Sequence, residues 1–258
     1  QADRDPEQAE AARWLRARIA EERGDAALAA RLYQGIDSGP RALASQLRAF
    51  RLLRDQGASY LAEMLLDDFQ DGSPASVVDV VSGVATILVD VGRGEDAIAL
   101  LDRALGLLPD DGLRLSRGFL LERLDRVAEA VQDMRAVAKR RPDDPTVLNA
   151  LGYTLVDRTP SIAEGKTLIE RAIAAKPDSY AIQDSMGWAL VQSGQLEAGM
   201  TWLERAWSAS EDPEVAAHLG ETLWRMGRPE DAKRVWDEAL SDHPDSAPLK
   251  RAIERRSP

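Results

Sequence analysis

Small and large apolar residues recur along this chain in pairs of helical stripes, and the paired pattern returns about every 34 residues. It is plainest between Pro145 and Pro244. Asn149-Ala150-Leu151-Gly152-Tyr153-Thr154-Leu155 is answered by Asp184-Ser185-Met186-Gly187-Trp188-Ala189-Leu190 and by Ala217-His218-Leu219-Gly220-Glu221-Thr222-Leu223. A second helical phrase follows each: Glu170-Arg171-Ala172, Glu204-Arg205-Ala206 and Glu238-Ala239-Leu240. One stripe per helix and two helices per period predict hairpins that bury each other's apolar faces, without one central core.

Carried outward, the period predicts seven hairpins, over about 10–42, 43–77, 78–110, 111–144, 145–179, 180–212 and 213–246, and a capping helix over about 247–256. The eighth position of each first helix falls on Ala17, Phe50, Ala85, Gly118, Gly152, Gly187 and Gly220. In the second helix, position 20 is Ala29, Ala62, Ala97, Ala130, Gly165, Gly199 and Ala232, and position 24 is Tyr33, Leu66, Leu101, Met134, Ile169, Leu203 and Trp236. Small residues let two backbones approach, and large ones fill the space beside them. Gly24, Gly57, Gly92, Gly194 and Gly227 mark the turn inside a hairpin, with Asp125 in that place in the fourth and Pro160 biasing Thr159 out of helix in the fifth. Pro74, Pro109, Pro142, Pro177 and Pro244 punctuate the junctions, while the sixth hairpin lacks that proline and carries Ser208-Ala209-Ser210-Glu211-Asp212-Pro213, one residue shorter, where a local tightening is expected. The opening at Gln1 without Met suggests a fragment or a trimmed form.

These small and large positions resemble the tetratricopeptide-repeat (TPR) family from about Glu10 to Pro244. The resemblance implies an all-α fold, a right-handed superhelix or α-solenoid whose first helices line a concave face. More narrowly, Asn149 through Thr159, Asp184 through Trp188 and Ala216 through Glu221 resemble the C-terminal repeats of a group of proteobacterial repeat proteins. That group includes an outer-membrane lipoprotein adaptor of a periplasmic carboxyl-terminal processing protease. The resemblance implies recruitment and activation of such a protease against cell-wall hydrolases, and a periplasmic, lipid-anchored full-length protein. No lipid-bearing cysteine is present in this chain, and a cytoplasmic location stays open.

Family positions 2, 5, 9, 12 and 13 point into the concave face, and carried onto this chain they give a candidate groove. Position 9 is Phe119, Tyr153 and Trp188 in successive repeats, an aromatic ladder that Trp224, at position 12 of the next repeat, extends. Around it stand Leu115, Asn149 and Asp184 at position 5, Glu122, Val156 and Val191 at position 12, and Arg123, Asp157, Gln192 and Arg225 at position 13. Aromatic anchors beside charged and amide groups suit a peptide groove. Packing against neighbouring first helices, a common fate for large residues at this spacing, is the alternative for these aromatics, Tyr153 above all, and the two readings can both hold. Trp236 reads as core, and Trp202 and Trp207 as packing or edge residues. In the first two hairpins the inner positions are Arg18, Glu21, Glu22, Arg51, Arg54 and Asp55, read as a solvated face braced by ion pairs.

Charge and composition narrow the partner. A formal net charge of -11 argues against nucleic acid and anionic membrane, since both select basic surfaces. No cysteine is available for a disulfide or thiolate metal site, and His218 and His243 are too few for a metal centre; no metal or other cofactor is expected. No apolar run is long enough to span a bilayer. Gly92-Arg93-Gly94 has no preceding strand and no following Lys-Ser/Thr, Asp110-Asp111-Gly112 has too few oxygen ligands for a calcium loop, and no serine sits in a nucleophile elbow. The chain therefore reads as a non-catalytic adaptor that holds a peptide or helix of a partner protein. A self-assembling structural module, or the non-catalytic arm of a larger enzyme, is the alternative.

Overall fold

A computed structural model of the chain describes residues 6–36 and 74–255, together with residues 41, 45, 48, 49 and 52. All regular structure among them is helical: α1 Pro6–Glu22, α2 Ala26–Gln34, α3 Pro74–Asp90, α4 Gly94–Leu107, α5 Asp111–Arg123, α6 Val127–Arg140, α7 Pro145–Arg158, α8 Ile162–Ala175, α9 Tyr180–Gln192, α10 Leu196–Ala209, α11 Pro213–Arg225, α12 Pro229–Asp242 and α13 Ala247–Glu254. The chain forms two units, residues 1–133 and 134–258, with the division inside α6. Phe50, Arg51, Arg54, Asp55, Gly57, Ala62 and Leu66 lie outside the described residues.

Local chemistry sets the helix ends. Asp144 caps α7 by accepting from the N–H groups of Thr146 and Val147. Asp110 does the same for α5, Asp212 caps α11, and Ser246 caps α13. Pro145, Pro213 and Pro229 stand in the first turn, where a missing N–H removes no helical bond. Between paired helices Gly24, Gly92, Gly194 and Gly227 take φ of +77° to +80°. Asp125 holds that place in the fourth hairpin at φ 63°, and Thr159 is extended at φ −140°, ψ 164° before Pro160.

In the first unit α1 pairs with α2 around Ala17, Ala29 and Tyr33, and α3 pairs with α4 while both meet α5. A second apolar cluster there runs from Val80 through Leu101 to Leu121 and Ala130. Arg18 pairs with Glu22 at 3.5 Å, and Glu21 accepts from Tyr33 and Arg48, as the mixed charges predict. A buried Asp133 carboxylate takes two bonds from the Arg117 guanidinium, each 2.7 Å, and a third from Arg114.

In the second unit three hairpins, α7–α8, α9–α10 and α11–α12, stack in order, and α13 packs on α11 and α12. Their crossings are close. A Cβ on Gly165 would stand 2.5 Å from the Gly152 carbonyl oxygen, and one on Gly199 2.8 Å from that of Gly187. At Gly220 the space is filled by the Trp236 indole, itself 3% exposed. Ile169 and Leu203, in the same position as Trp236, are fully buried.

Two groove expectations fail at these crossings. Val156 and Val191, expected on the open face, are buried inside their own hairpins. The Cγ2 of Val156 lies 2.8 Å from the Cβ that Gly165 lacks, and the Cγ2 of Val191 lies 2.5 Å from that of Gly199. The glycine opens a hole in the partner helix, and the valine methyl fills it.

Candidate functional site

On α7, residues Asn149, Tyr153 and Asp157 follow each other at four-residue spacing and so share a face. On α9 the same spacing aligns Asp184, Trp188 and Gln192, and on α11 spacings of four, three and four bring Glu214, His218, Glu221 and Arg225 to one side. Side by side, the three first helices assemble a continuous cluster of aromatic and charged groups.

His218 is its centre. The Nδ1 lies 2.9 and 3.0 Å from the two Asp184 carboxylate oxygens, and Nε2 lies 3.4 Å from the Tyr153 hydroxyl. Tyr153 in turn donates to Glu214 at 2.8 Å. With its proton given to Glu214, the phenol oxygen can only accept from His218, and Asp184 only accepts as well. Both imidazole nitrogens therefore carry hydrogen, and His218 is an imidazolium. Burial alone would disfavour that charge, but Asp184, with Glu214 and Asp157 farther off, outweighs it and pushes the His218 pKa up to about 9. Burial, then the negative charge of Glu214, Asp157 and Asp184, holds the Tyr153 hydroxyl well above the usual phenol range.

Trp188 lies under the imidazolium. The two rings stack at 4.3 Å with 16° between their planes, and the Trp188 indole N–H donates to Asp157 at 2.9 Å. The Arg225 guanidinium sits 5.3 Å from the Trp188 ring centre and donates to Gln192 at 3.1 Å and Glu221 at 2.9 Å. Cation–aromatic attraction and hydrogen bonds thus fix one layer of side chains. The Asp184–His218–Tyr153 series has the outline of a proton relay, but a doubly protonated imidazole has no free lone pair to act as a base.

Of the candidate groove residues, the second unit joins Tyr153, Asp157, Asp184, Trp188, Gln192 and Arg225 in this cluster. Trp188, expected as an anchor facing solvent, is 2% exposed, and Asp184 is buried as well, because the stack with His218 covers both. Trp224 is half-buried and stacks at 6.2 Å on the core residue Trp236. Asn149 is half-buried with its Oδ1 enclosed and unpaired. In the first unit Phe119 is 42% exposed, Leu115 and Glu122 are half-buried, and Arg123 pairs with Asp90 at 2.6 Å. The sequence reading gives Glu214 and Glu221 no place on this face and weighs His218 only as a metal ligand or helix-packing residue. One signal was available: laterally bonded residues here lie about one period apart, as in Asp184 with His218, Gln192 with Arg225, and Asp90 with Arg123.

Helix hairpins crossing on small residues at this period have the architecture of tetratricopeptide repeats. Two family profiles, both described as tetratricopeptide repeat, match residues 85–158 and 218–246. The chain is 37% identical over 213 residues to a TPR repeat-containing protein of Pseudomonas aeruginosa, a match covering 82% of this chain and 36% of that protein. It thus spans little more than a third of that relative. Among solved structures it is similar to a tetratricopeptide repeat protein of Parabacteroides merdae, with TM-score 0.66, 14% identity, and 96% of this chain and 98% of the other covered. A thermophilic TPR protein of Thermus thermophilus matches with TM-score 0.60 and 20% identity over 69% of this chain and 97% of its own. These likenesses show the fold, an α-solenoid.

Proposed function

We propose that the chain is a non-catalytic adaptor that holds a segment of a partner protein on the first-helix face of its second unit. One observation carries the reading: Tyr153, Asp157, Gln192, Trp224 and Arg225 stand partly or fully open on or beside a layer that Trp188 and His218 hold rigid. Aromatic and arginine side chains fixed before binding lose little freedom on contact, which favours recognition over solvation. The narrower reading extends the sequence resemblance. The partner is then a periplasmic carboxyl-terminal processing protease, brought to its cell-wall hydrolase substrates by an outer-membrane-anchored full-length protein.

The test is affinity capture from a periplasmic extract with the chain as bait, with Trp224→Ala and Arg225→Ala as controls whose folding is checked by circular dichroism. Capture of a processing protease or a hydrolase, reduced at least about fivefold by either variant, supports both levels of the reading. Capture that neither variant weakens removes this face from the account. A second reading, self-association, draws on Leu15 and Ile19, four residues apart on α1 and 56% and 40% exposed. Light scattering that returns one monomer mass across concentration would count against it.

A further inference from the structure

The cations of the second unit's first-helix face are already matched. The His218 imidazolium faces Asp184, and the Arg225 guanidinium faces Glu221. Two carboxylates are left over. Asp157 accepts from the neutral Trp188 indole and Glu214 from the neutral Tyr153 hydroxyl, and among the described residues no lysine or arginine forms an ion pair with either. Glu214 is exposed, Asp157 is half-buried, and Tyr153 connects them, since Asp157 lies one helical turn beyond it on α7 and Glu214 bonds its hydroxyl. Asp157 and Glu214, joined through Tyr153, thus present carboxylate oxygens on either side of an aromatic ring.

We infer that the partner segment held here is basic, with a lysine or arginine seated against the Tyr153 ring between Asp157 and Glu214. The inference rests on the protein-binding reading above and specifies its chemistry. A guanidinium or ammonium supplies donors and charge together, and its aliphatic stem covers the ring. An acidic segment or a free C-terminal carboxylate would instead meet Asp157 and Glu214 at close range. The formal charge of -11 favours encounter with the same class of partner.

The test is selection of displayed random 12-residue peptides on the whole chain and on the Asp157→Asn, Glu214→Gln double variant, whose amide oxygens can still accept from Trp188 and Tyr153. Peptides enriched on the unaltered chain are expected to carry lysine or arginine well above the starting library, and the double variant loses that enrichment. A selected peptide, made synthetically, is expected to bind about tenfold more weakly when its basic residue becomes glutamine, with a similar loss on raising salt. Enrichment of apolar or acidic peptides that Trp224→Ala weakens would overturn the basic specificity and leave the docking face in place. Enrichment of basic peptides that the double variant binds equally well would overturn the assigned site. No enrichment on either protein would sink both the specificity and the face.

Discussion

His218 is buried, bonded at both nitrogens and stacked on an indole, so its proton is part of the fold. Its pKa rises from an ordinary 6.5 to about 9, hence the stability it contributes is complete below about pH 6.5 and is lost as pH climbs through about 9. The loss across that window is expected to be at most about 3 kcal/mol. Thermal unfolding followed at several pH values should show the midpoint falling between pH 7 and 9.5, and His218→Gln should remove most of that slope. His218→Ala is expected to cost about 3 to 5 kcal/mol in denaturant unfolding at pH 7, because it leaves Asp184 buried without its cation. A cost under 1 kcal/mol would mean that solvent reaches Asp184 and the cluster is looser than its distances imply.

The helix crossing is the element-scale unit, and its tolerance is set by backbone against backbone. Gly165→Ala brings a methyl to 2.5 Å from the Gly152 carbonyl oxygen, which has no rotamer with which to move aside. A loss of about 1 to 3 kcal/mol is expected in chemical unfolding. Asp125 carries the opposite opportunity: it holds the left-handed conformation at φ 63° where four other turns use glycine. Asp125→Gly should stabilise by about 0.5 to 1 kcal/mol, measured in the same way, since it relieves a Cβ–carbonyl conflict. Most boundaries of this kind were legible in the sequence because caps, prolines and turn glycines act on their immediate neighbours. The facing of Val156 and Val191 was not legible, because those residues sit where two faces of the helix meet. There a rotation of one helix against its partner decides whether a methyl points to solvent or into the hole above a glycine.

At the scale of the molecule, the period pointed to the α-solenoid, but the chemistry of the face lay between repeats. Trp188 looks like a free aromatic until His218, on the next first helix, is laid against it. A pairing that depends on the offset between neighbouring repeats is not written in any one of them. In arrays of this kind each repeat meets its neighbours, so damage is graded along the chain. Hydrogen exchange of the His218→Ala chain should therefore accelerate most in α9 and α11, with a smaller effect in α7 and α8.

The Tyr153–Glu214 bond departs from that nearest-neighbour rule, for it joins α7 to α11 past the intervening α9 and spans 61 residues of chain. Under tension it is expected to act as a strap around the chain between residues 153 and 214, which includes the sixth hairpin. Pulled from its ends in a single-molecule force experiment, the array should release residues 153–214, enclosed by the bond, as one step of about 210 Å, from roughly 3.5 Å per residue. Tyr153→Phe should break that step into two shorter ones of roughly 100 Å each, one hairpin at a time. The strap would then set the mechanical grain of the protein: a load applied at the fifth repeat is carried to the seventh before the sixth gives way.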